Sequence, residues 1–451
     1  MDGLRKSGNW IAGLQWLFFI FTNIIVIPIT IGAAFGLSQG KVVTLIQLSF
    51  ILTGIACILQ GVIGHQRAIM EGQSGLWWGV ILTLAASAAA QGSSLSELGG
   101  SLATGIIISG FLTILIGAAG LGPVIAKMFN SAVMGVFMFL FGCQLIGIFM
   151  KGMLGIPFGT QAGQAHIQVN VSLLSLGIVV LVIVLSVKSP PGMRRYSLLI
   201  GILLGWMVYE LLFQSNEGMS TGSLSFESFP LGKPSWHVGI IITAVLTGLL
   251  NTANTFGAIK GTDEMYLKKV SRQKYRFSFM ITGCFTMLSG VLGLVPYAPY
   301  VSTVGFLKQT GIIRRLPFLL GGAMFLLMGL LPPIGHFFSM LPLSVGSAVL
   351  FVSYLQLLGS TRSFFQDVEF STTAVYRLAI PLFVGIIIMT MPADYFQSLP
   401  SPVRPLVSNG LLVGIVLSLM MENVFHRPSS SHKQVAENKS DQQGQTHHIA
   451  K

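Results

Sequence analysis

The sequence is poor in charged residues and in cysteine. Only 9% of its 451 residues are Asp, Glu, Lys or Arg, whereas a soluble domain carries roughly 25%. The chain is therefore not a soluble globular protein. The three cysteines, Cys57, Cys143 and Cys284, lie in apolar runs at no metal-like spacing. This pattern excludes a disulfide framework and indicates small core residues.

Catalytic and nucleotide-binding motifs are also missing from the sequence. The histidines are scattered, with no HExxH and no Cys/His cluster. No GxxxxGK(S/T) loop is present, which excludes an ATP-driven pump acting on its own. We therefore expect no enzyme, no metal and no cofactor.

Apolar sequence makes up most of the chain. Hydrophobic residues account for 52% of it and the mean hydropathy is +0.76. Length and loop punctuation predict an all-α polytopic membrane protein with about fourteen membrane segments. The predicted segments lie near 10–37, 42–64, 71–90, 100–121, 130–150, 168–187, 194–214, 237–260, 276–296, 300–312, 316–338, 342–360, 373–392 and 405–425. The polar residues 426–451 are predicted to form a disordered cytoplasmic tail.

The basic residues support this count of segments. With both termini in the cytoplasm, every Lys and Arg except Lys41, Lys151, Lys233 and Arg404 falls on the cytoplasmic side. The positive-inside rule requires such a bias, and an error of one segment would scramble it. The formal net charge of +12 therefore belongs to one face of a protein in a lipid bilayer. It does not indicate a nucleic-acid partner.

Two of the membrane segments are interrupted. In LVPYAPYVSTVGFLKQTG, residues 294–311, Pro296 and Pro299 prevent a regular helix, and the β-branched run 300–303 is predicted to be extended. The third segment begins with polar and glycine residues, 71–75. Backbone groups left unpaired at membrane depth must be buried in protein or line a cavity. In secondary transporters such segments mark the substrate site.

The spacing of these interruptions indicates an internal repeat. They lie roughly 230 residues apart, as do the first and eighth segments, so segments 1–7 and 8–14 are predicted to be copies of one unit. An odd number of spans per copy gives the copies opposite orientations. The predicted fold is therefore a 7+7 inverted repeat.

Neutral polar residues near the interruptions are the first candidates for ligand binding. In segment 8, Asn251 and Thr255 share a helix face, and Asn254 lies beside it. Ser302 and Thr303 follow the prolines of segment 10. Amides, hydroxyls and free backbone N–H groups suit a neutral, planar ligand better than a cation or a metal. The alternative is that Asn and Thr only hold helices together by interhelical hydrogen bonds.

Segments 1 and 3 contribute three further candidates. Gln15 is a polar residue inside a membrane helix, and Trp16 is either a stacking partner for a planar ring or an interfacial anchor. Glu71 is one of the few ionisable residues at membrane depth. It is either a proton-coupling residue or a carboxylate at the cytoplasmic edge.

The broken tenth segment resembles a short family signature. That signature has Gln, Glu or Pro, then Asn-x-Gly, four residues, Thr, and finally Arg, Lys or Gly. In STVGFLKQTG, Gly305, Thr310 and Gly311 fit, whereas Ser302 and Thr303 depart from it. This is the signature of the nucleobase–ascorbate transporters, also called nucleobase:cation symporter 2, which include bacterial uracil and xanthine permeases.

Other stretches are similar to the same family. Asn254–Gly257 resembles its Glu-x-x-Gly in segment 8, and Gln15-Trp16 resembles its Gln-His in segment 1. EGQSG, with Ser74 in fourth place, resembles Gln-Gly-x-Ser-Phe in segment 3. Residues 399–415 are also similar, so the resemblance covers nearly the whole chain before the tail.

The resemblance implies a core domain of segments 1–4 and 8–11 and a gate domain of segments 5–7 and 12–14. The core halves are then residues 1–128 and 236–340, and the gate halves 129–235 and 341–425. Short strands from segments 3 and 10 are expected to meet at the midplane, with the substrate between core and gate. The gates are often paired in a homodimer.

The resemblance also implies a function, which is nucleobase uptake across the bacterial cell membrane by alternating access. A purine such as xanthine, guanine, hypoxanthine or urate is expected, with a proton or another cation as coupling ion. In the uracil permeases, acidic residues that bind the base and take part in proton coupling align with Asn254 and Ser302, which cannot titrate. Coupling therefore uses Glu71 or another site, or the substrate has diverged. The predicted substrate-binding residues are Gln15, Trp16, Ser74, Asn251, Asn254, Thr255, Ser302, Thr303 and Gly305.

Two other functions are weaker alternatives. The sulfate/bicarbonate transporters are similar in fold, but they need an anion-attracting broken segment and usually have a folded cytoplasmic domain after the last helix. A membrane-embedded enzyme needs a catalytic set, which the sequence lacks.

Overall fold

The structure is a computed structural model, and most of it is helical. It describes residues 7–90, 93–156, 166–194, 196–213, 227–369, 371–400 and 402–425. The predicted tail, 426–451, lies outside these ranges. Up to residue 213 the elements are α1 (Ser7–Ile24), α2 (Val26–Ala34), α3 (Gln39–Val62), β1 (Glu71–Gln73), α4 (Gly75–Ala90), α5 (Leu95–Ala119), α6 (Gly122–Met128), α7 (Ser131–Met153), α8 (Val169–Lys188), α9 (Pro191–Arg194) and α10 (Ser197–Phe213).

The second part of the chain has a similar order of elements. They are α11 (Val238–Gly261), α12 (Asp263–Tyr266), α13 (Arg272–Leu292), β2 (Tyr297–Pro299), α14 (Ser302–Thr310), α15 (Arg315–Leu330), α16 (Pro332–Ser339), α17 (Leu343–Leu355), α18 (Leu357–Gln366), α19 (Thr372–Thr390), α20 (Arg404–Val407) and α21 (Gly410–Phe425). Every membrane segment predicted from the sequence overlaps at least one of these helices.

Many of the helices are long enough to cross a membrane. Within the described residues, eight helices have the required length and apolar composition, and a ninth results if α15 and α16, bent by 86°, count as one span. Three shorter apolar helices fall within α4, α10 and α21. The chain is therefore a multi-pass membrane protein.

Polar caps and glycines mark several helix ends. The side chains of Ser94, Asn130, Ser271 and Ser371 each accept a hydrogen bond from a backbone N–H in the first turn of the helix that follows. Gly120 and Gly293 end α5 and α13 with positive φ angles of 68° and 67°, which glycine adopts without steric cost. These residues stop the helices where the chain must turn.

The two interrupted segments pair through β1 and β2. The strands are antiparallel, with Glu71 opposite Pro299 and Gln73 opposite Tyr297. Hydrogen bonds from Ser74 N to Pro296 O (2.7 Å) and from Tyr300 N to Met70 O (2.8 Å) extend the ladder at both ends. The predicted meeting of short strands from segments 3 and 10 is confirmed.

The position of the second strand differs from the prediction. Residues 300–303 were expected to be extended, but the strand lies three residues earlier and α14 begins at Ser302. The two prolines fix φ in a range that suits a strand. After Pro299 every residue again has an N–H to donate, and Thr303 N bonds to Tyr300 O at 3.1 Å. Helix formation therefore outweighs the preference of the β-branched residues for an extended conformation.

The helices pack in corresponding pairs around the strands. Helix α3 packs along α15, as α13 packs along α5, and α1 contacts α15, as α11 contacts α5. We call these six helices the first group. A second group consists of α7, α8, α10, α17, α18, α19 and α21, in which α7 contacts α17, α18 and α21. Helix α4 contacts both α11 of the first group and α7 of the second, so it lies between them.

A buried arginine holds the loop that leads into β1. Arg67 is 4% exposed, and its guanidinium donates to Ile259 O and to Thr262 Oγ1, both at 2.8 Å. It also forms an ion pair of 2.8 Å with Asp263. Burial, and secondarily the Arg67 charge, lower the pKa of His65 to about 3, so its neutral Nδ1 accepts the Arg67 N–H at 3.1 Å. The loop is thus attached to the end of α11.

Candidate functional site

Three of the predicted site residues meet where β1 ends and α4 begins. Ser74 Oγ donates to Asn251 Oδ1 at 2.6 Å, and Asn254 Nδ2 donates to the same oxygen at 3.0 Å. Asn251 Nδ2 donates to the backbone oxygen of Tyr297 in β2 at 3.0 Å. Asn251 therefore joins α11 to both interrupted segments. We call Ser74, Asn251 and Asn254 the polar cluster.

The members of the polar cluster differ in exposure. Ser74 and Asn251 are 2% and 4% exposed, whereas Asn254 is only partly buried. None of the hydrogen bonds in the described part of the chain uses Asn254 Oδ1 as acceptor. Asn254 can therefore offer a carbonyl oxygen to a ligand, while Asn251 holds the cluster in place.

The start of α4 adds backbone donors next to these side chains. The first N–H groups of a helix have no partner within the helix, and they carry a partial positive charge. The backbone oxygen of Ser74 accepts the first intrahelical bond, from Trp78 N at 2.9 Å, so the N–H groups without an intrahelical partner are those of Gly75, Leu76 and Trp77. Donors of this kind suit a carbonyl oxygen or an anionic group.

Aromatic rings from the second helix group face this point. A Cβ atom added to Gly75 would lie 2.5 Å from Phe141 Cζ on α7 and 3.2 Å from Tyr354 Oη on α17. The Phe141 and Tyr354 rings are 5.9 Å apart and perpendicular, and Phe149 lies 5.3 Å from Tyr354. These aromatic rings therefore lie against the start of α4, next in sequence to Ser74 of the polar cluster.

Sequence reasoning missed Phe141 and Tyr354. Both lie in apolar helices with many other aromatic residues, so little in the sequence separates them from core residues. Only the approach of α7 and α17 to Gly75, which lacks a side chain, identifies them. A Tyr in an apolar run of segment 12 was the one available signal.

Glu71 lies in the same strand as the cluster but faces a different environment. It is fully buried. Thr282 Oγ1 donates to its Oε1 at 2.6 Å, and Gln60 Nε2 donates to its Oε2 at 3.2 Å. Gln73, on the same face of β1, donates to Ser49 Oγ at 2.9 Å. Glu71 therefore points toward α3 and α13.

The other predicted residues of segments 8 and 10 lie outside the polar cluster. Thr255 is buried and lines a small cavity that it shares with Asn251. Thr303 is fully buried and accepts a hydrogen bond from Met70 N at 3.3 Å. Ser302 and Gly305 are exposed on α14.

The two predicted residues of segment 1 are packed inside the protein. Trp16 is fully buried, with ring centroids 4.6 Å from Phe306 and 4.9 Å from Phe318, so it is not an interfacial anchor. Gln15 is 9% exposed, and its Oε1 has no hydrogen-bond partner among the described residues. Neither residue is hydrogen-bonded to the polar cluster.

No group of three or more His, Cys, Asp or Glu side chains that could hold a metal ion occurs in the ranges that the structure describes. Around the polar cluster the chemistry is that of neutral amides, a hydroxyl and backbone N–H groups. Such a site can bind a neutral, planar molecule with hydrogen-bonding edges.

Sequence comparisons match this chain to permeases over nearly its whole length. A family model named Xan_ur_permease and described as "Permease family" matches residues 8–394. YwdJ of Bacillus subtilis, whose name marks it as a proposed purine permease, is 28% identical over 95% of this chain and 99% of its own length. The xanthine permease of the same organism is 24% identical, over 93% and 94%. The xanthine permease XanQ of Escherichia coli is 21% identical, over 92% and 90%.

Solved structures show the same fold. The transmembrane domain of the cyanobacterial bicarbonate transporter BicA aligns with a TM-score of 0.61 and 15% identity, covering 92% of this chain and 97% of that domain. SLC26A9 aligns with a TM-score of 0.59 and 12% identity, covering 93% of this chain and 66% of its own. At such low identity the likeness concerns the fold alone.

Proposed function

Because the chain belongs to the xanthine/uracil permease family of nucleobase–ascorbate transporters, we propose that it carries a purine across the cell membrane by proton-coupled uptake. It is a transporter and not an enzyme. The observation that carries the proposal is the polar cluster at the start of α4, where the Phe141 and Tyr354 rings lie against Gly75. Xanthine, guanine, hypoxanthine and urate are the proposed substrates.

The polar cluster matches the edge of a purine. An Asn side chain offers both a donor and an acceptor, as the edges of oxidised purines do. Asn254 Oδ1 would accept a ring N–H, and the free N–H groups at the start of α4 would donate to a purine carbonyl. Phe141 or Tyr354 would stack on the ring. Stacking of a base on an aromatic side chain contributes about 1–3 kcal/mol.

We further propose fourteen spans in a 7+7 inverted repeat, with both termini cytoplasmic. The corresponding contacts of α3 with α15 and of α13 with α5 support the repeat, as does the antiparallel pairing of β1 with β2. The proposed core domain contains the strands and the helices around them. The proposed gate domain is the second helix group, which includes α7 and α17. A homodimer formed through the gates remains part of this proposal.

Transport then requires the core to move against the gate. Besides the rings at Gly75, the contact between α4 and α7 includes Gln144, whose Nε2 donates to Thr83 Oγ1 at 2.6 Å and to Gly79 O at 3.1 Å. A movement that carries the polar cluster to the other side of the membrane would break these bonds. Glu71 is the proposed proton-coupling residue, because a buried membrane carboxylate without a cation beside it is costly when charged.

The sulfate/bicarbonate alternative has less support. The likeness to BicA shows the fold, and the relatives matched over most of their length are named for purines, xanthine and uric acid. Every side chain of the polar cluster is neutral. An anion would therefore depend on the N-terminus of α4 for charge compensation.

Thermal stabilisation of the purified protein by a ligand panel tests the proposal. The panel contains the four purines, uracil, ascorbate and sulfate. A ligand that binds only the folded state at 100 times its Kd adds about 2.7 kcal/mol to the free energy of unfolding. We expect a rise with at least one purine that Asn254→Ala removes. Asn423→Ala, which removes an exposed amide on α21, should keep it. A rise with sulfate alone would contradict the proposal.

A further inference from the structure

A small polar cavity lies between the polar cluster and Glu71. Its volume is about 10 Å³, and four helices line it. Trp77 comes from α4, Ser109 from α5, Asn251 and Thr255 from α11, and Thr282 from α13. The cavity is much too small for a purine. It is separate from the surface that faces Phe141 and Tyr354.

Two of the side chains that line this cavity carry a buried polar atom without a partner in the described residues. These atoms are Trp77 Nε1 and Ser109 Oγ, on side chains that are 0% and 2% exposed. Leaving such a group unpaired in the interior is unfavourable, so an occupant that bonds to both is favoured. An indole N–H is a donor only, which excludes a metal cation beside it. A cavity of roughly 10–15 Å³ with several polar partners holds one water molecule.

Two residues that line the cavity are also hydrogen-bonded, one to Glu71 and the other to the rest of the polar cluster. Thr282, which lines it, is the residue whose hydroxyl donates to Glu71 Oε1 at 2.6 Å. Asn251, which also lines it, accepts from both Ser74 and Asn254 through Oδ1. A water between them would complete a series of hydrogen bonds from the buried carboxylate to the polar cluster.

We propose that one water molecule in this cavity connects Glu71, through Thr282, to Asn251, so that the protonation state of Glu71 sets the affinity of the polar cluster for substrate. This inference rests on the proposed function. It assigns Thr282 and Ser109 as positioning residues, since neither would touch the purine.

The connection transmits the protonation state of Glu71 because that state decides which partner donates in each hydrogen bond. When Glu71 is ionised, Thr282 donates to it, and the Thr282 oxygen is left to accept from Gln60, at 3.1 Å, and from the water. When Glu71 carries a proton on Oε1, the carboxyl donates to Thr282, and the Thr282 proton turns to the water. Thr282 keeps its own proton throughout. The water must reorient, and its bond to Asn251 changes with it.

The surroundings of Glu71 contain few other titratable groups. Among the described residues, those that face it are the Cys57 thiol of α3 and the Tyr297 phenol of β2. From α13 it meets the hydroxyl of Thr282, and from α3 also the amide of Gln60. Cys57 Sγ donates to the backbone oxygen of Glu71 at 3.3 Å. Glu71 is therefore the group through which pH can act on the cavity.

The test measures the Kd of the whole protein for xanthine, hypoxanthine, guanine and urate across a pH series. An allosteric coupling is typically about 5–150-fold, so the wild-type Kd should change at least about fivefold with pH. Thr282→Val and Glu71→Gln should still bind the purine, but with a Kd that is nearly independent of pH. Thr282→Ser restores the hydroxyl and should restore the pH dependence. Thr243→Val, which removes a hydroxyl bonded only to its own helix, should behave as wild type.

The outcomes separate the two proposals. A Thr282→Val protein that keeps the wild-type pH dependence overturns the connection while leaving the proposed function intact. Purine binding that is independent of pH in the wild type overturns the connection and the role of Glu71, but not nucleobase binding. Failure of all four purines to bind at every pH overturns both proposals.

A second variant tests the water itself. If the water is present, Ser109→Ala removes one of its partners and lowers the Tm. If the cavity is dry, the same change removes an unpaired buried hydroxyl and leaves the Tm equal or higher. Ser175→Ala is the matched control, because Ser175 Oγ is also buried and unpaired among the described residues but does not line the cavity. Its Tm should not fall, and a Ser109→Ala protein that matches it would overturn the water site.

Discussion

The two interrupted segments share one local design and differ in how they are engaged. Each is a three-residue strand followed by a helix. In the first, α4 has 16 residues, is largely buried, and begins next to Ser74, Asn251 and two aromatic rings. In the second, α14 has 9 residues and begins with an exposed Ser302. Similar backbone segments thus have different surroundings.

Because of this difference, the residues that form the strand pair are not the residues of the proposed ligand site. Both segments are needed to form the pair, since β1 and β2 supply each other's hydrogen bonds. The polar cluster, however, lies at the start of α4, and among the described residues the start of α14 has no counterpart of it. The family signature thus lies in α14, whereas the proposed ligand-binding side chains are Ser74, which precedes α4, and Asn251 and Asn254 on α11.

The largest effect is expected from Asn251→Ala. This change leaves Ser74 Oγ and the backbone oxygen of Tyr297 without their partner, so both interrupted segments lose an attachment to α11. Each buried group left unpaired costs about 1–3 kcal/mol. We expect a lower Tm in the absence of ligand and a loss of purine binding.

Asn254→Ala is the matched comparison for that prediction. Asn254 donates to Asn251 but holds no backbone group of the strands. It should therefore lose purine binding with little change in Tm. Equal loss of stability in both variants would show that the cluster is only a structural contact between helices.

The next largest effect is expected from substituting Gly75 at the start of α4, with Gly305 of α14 as the comparison. In Gly75→Ala, the new methyl would lie 2.5 Å from Phe141 Cζ, so the Phe141 ring or α4 must shift. Overpacking of this kind costs about 1–3 kcal/mol. We expect a lower Tm, partly restored by Phe141→Leu, which shortens the opposing side chain. We also expect a weaker purine Kd, which Phe141→Leu should not restore if the Phe141 ring stacks on the base.

Gly305→Ala provides the contrast on α14. A Cβ there has no atom within 4 Å, so nothing has to move. Replacing Gly by Ala inside a helix stabilises it by roughly 0.5–1 kcal/mol. The Tm should stay equal or rise. A loss of purine binding in this variant would place the ligand against α14.

Local signals explain which parts of this structure were predictable from sequence. Apolar runs and loop punctuation predicted the helices, because helix length is set by the membrane. Pro296 and Pro299 predicted the interruption, since each removes a backbone donor. The spacing of Asn251 and Asn254 along one helix placed them together, and the structure adds Ser74 to them.

The remaining features depend on contacts between distant segments. Phe141 and Tyr354 are ordinary aromatic residues until α7 and α17 are known to meet Gly75. Trp16 and Thr303 are of residue types that occur in binding sites. In the fold, however, Trp16 packs against Phe306 and Thr303 accepts a hydrogen bond from Met70 N. The side to which Glu71 points follows from the register of β1 with β2, which no local pattern determines.

The smallest effect is expected from Ser302→Ala, measured beside Ser74→Ala. Ser74 is buried and bonds to Asn251 at 2.6 Å, so its removal should lower both the Tm and purine affinity. Ser302 is exposed, so its removal should leave the Tm unchanged and cost at most one hydrogen bond to ligand, about 0.5–1.5 kcal/mol. That corresponds to a Kd no more than roughly tenfold weaker. If Ser302→Ala instead abolishes binding and Ser74→Ala does not, α14 contributes the main contacts and the assignment of the site to α4 is wrong.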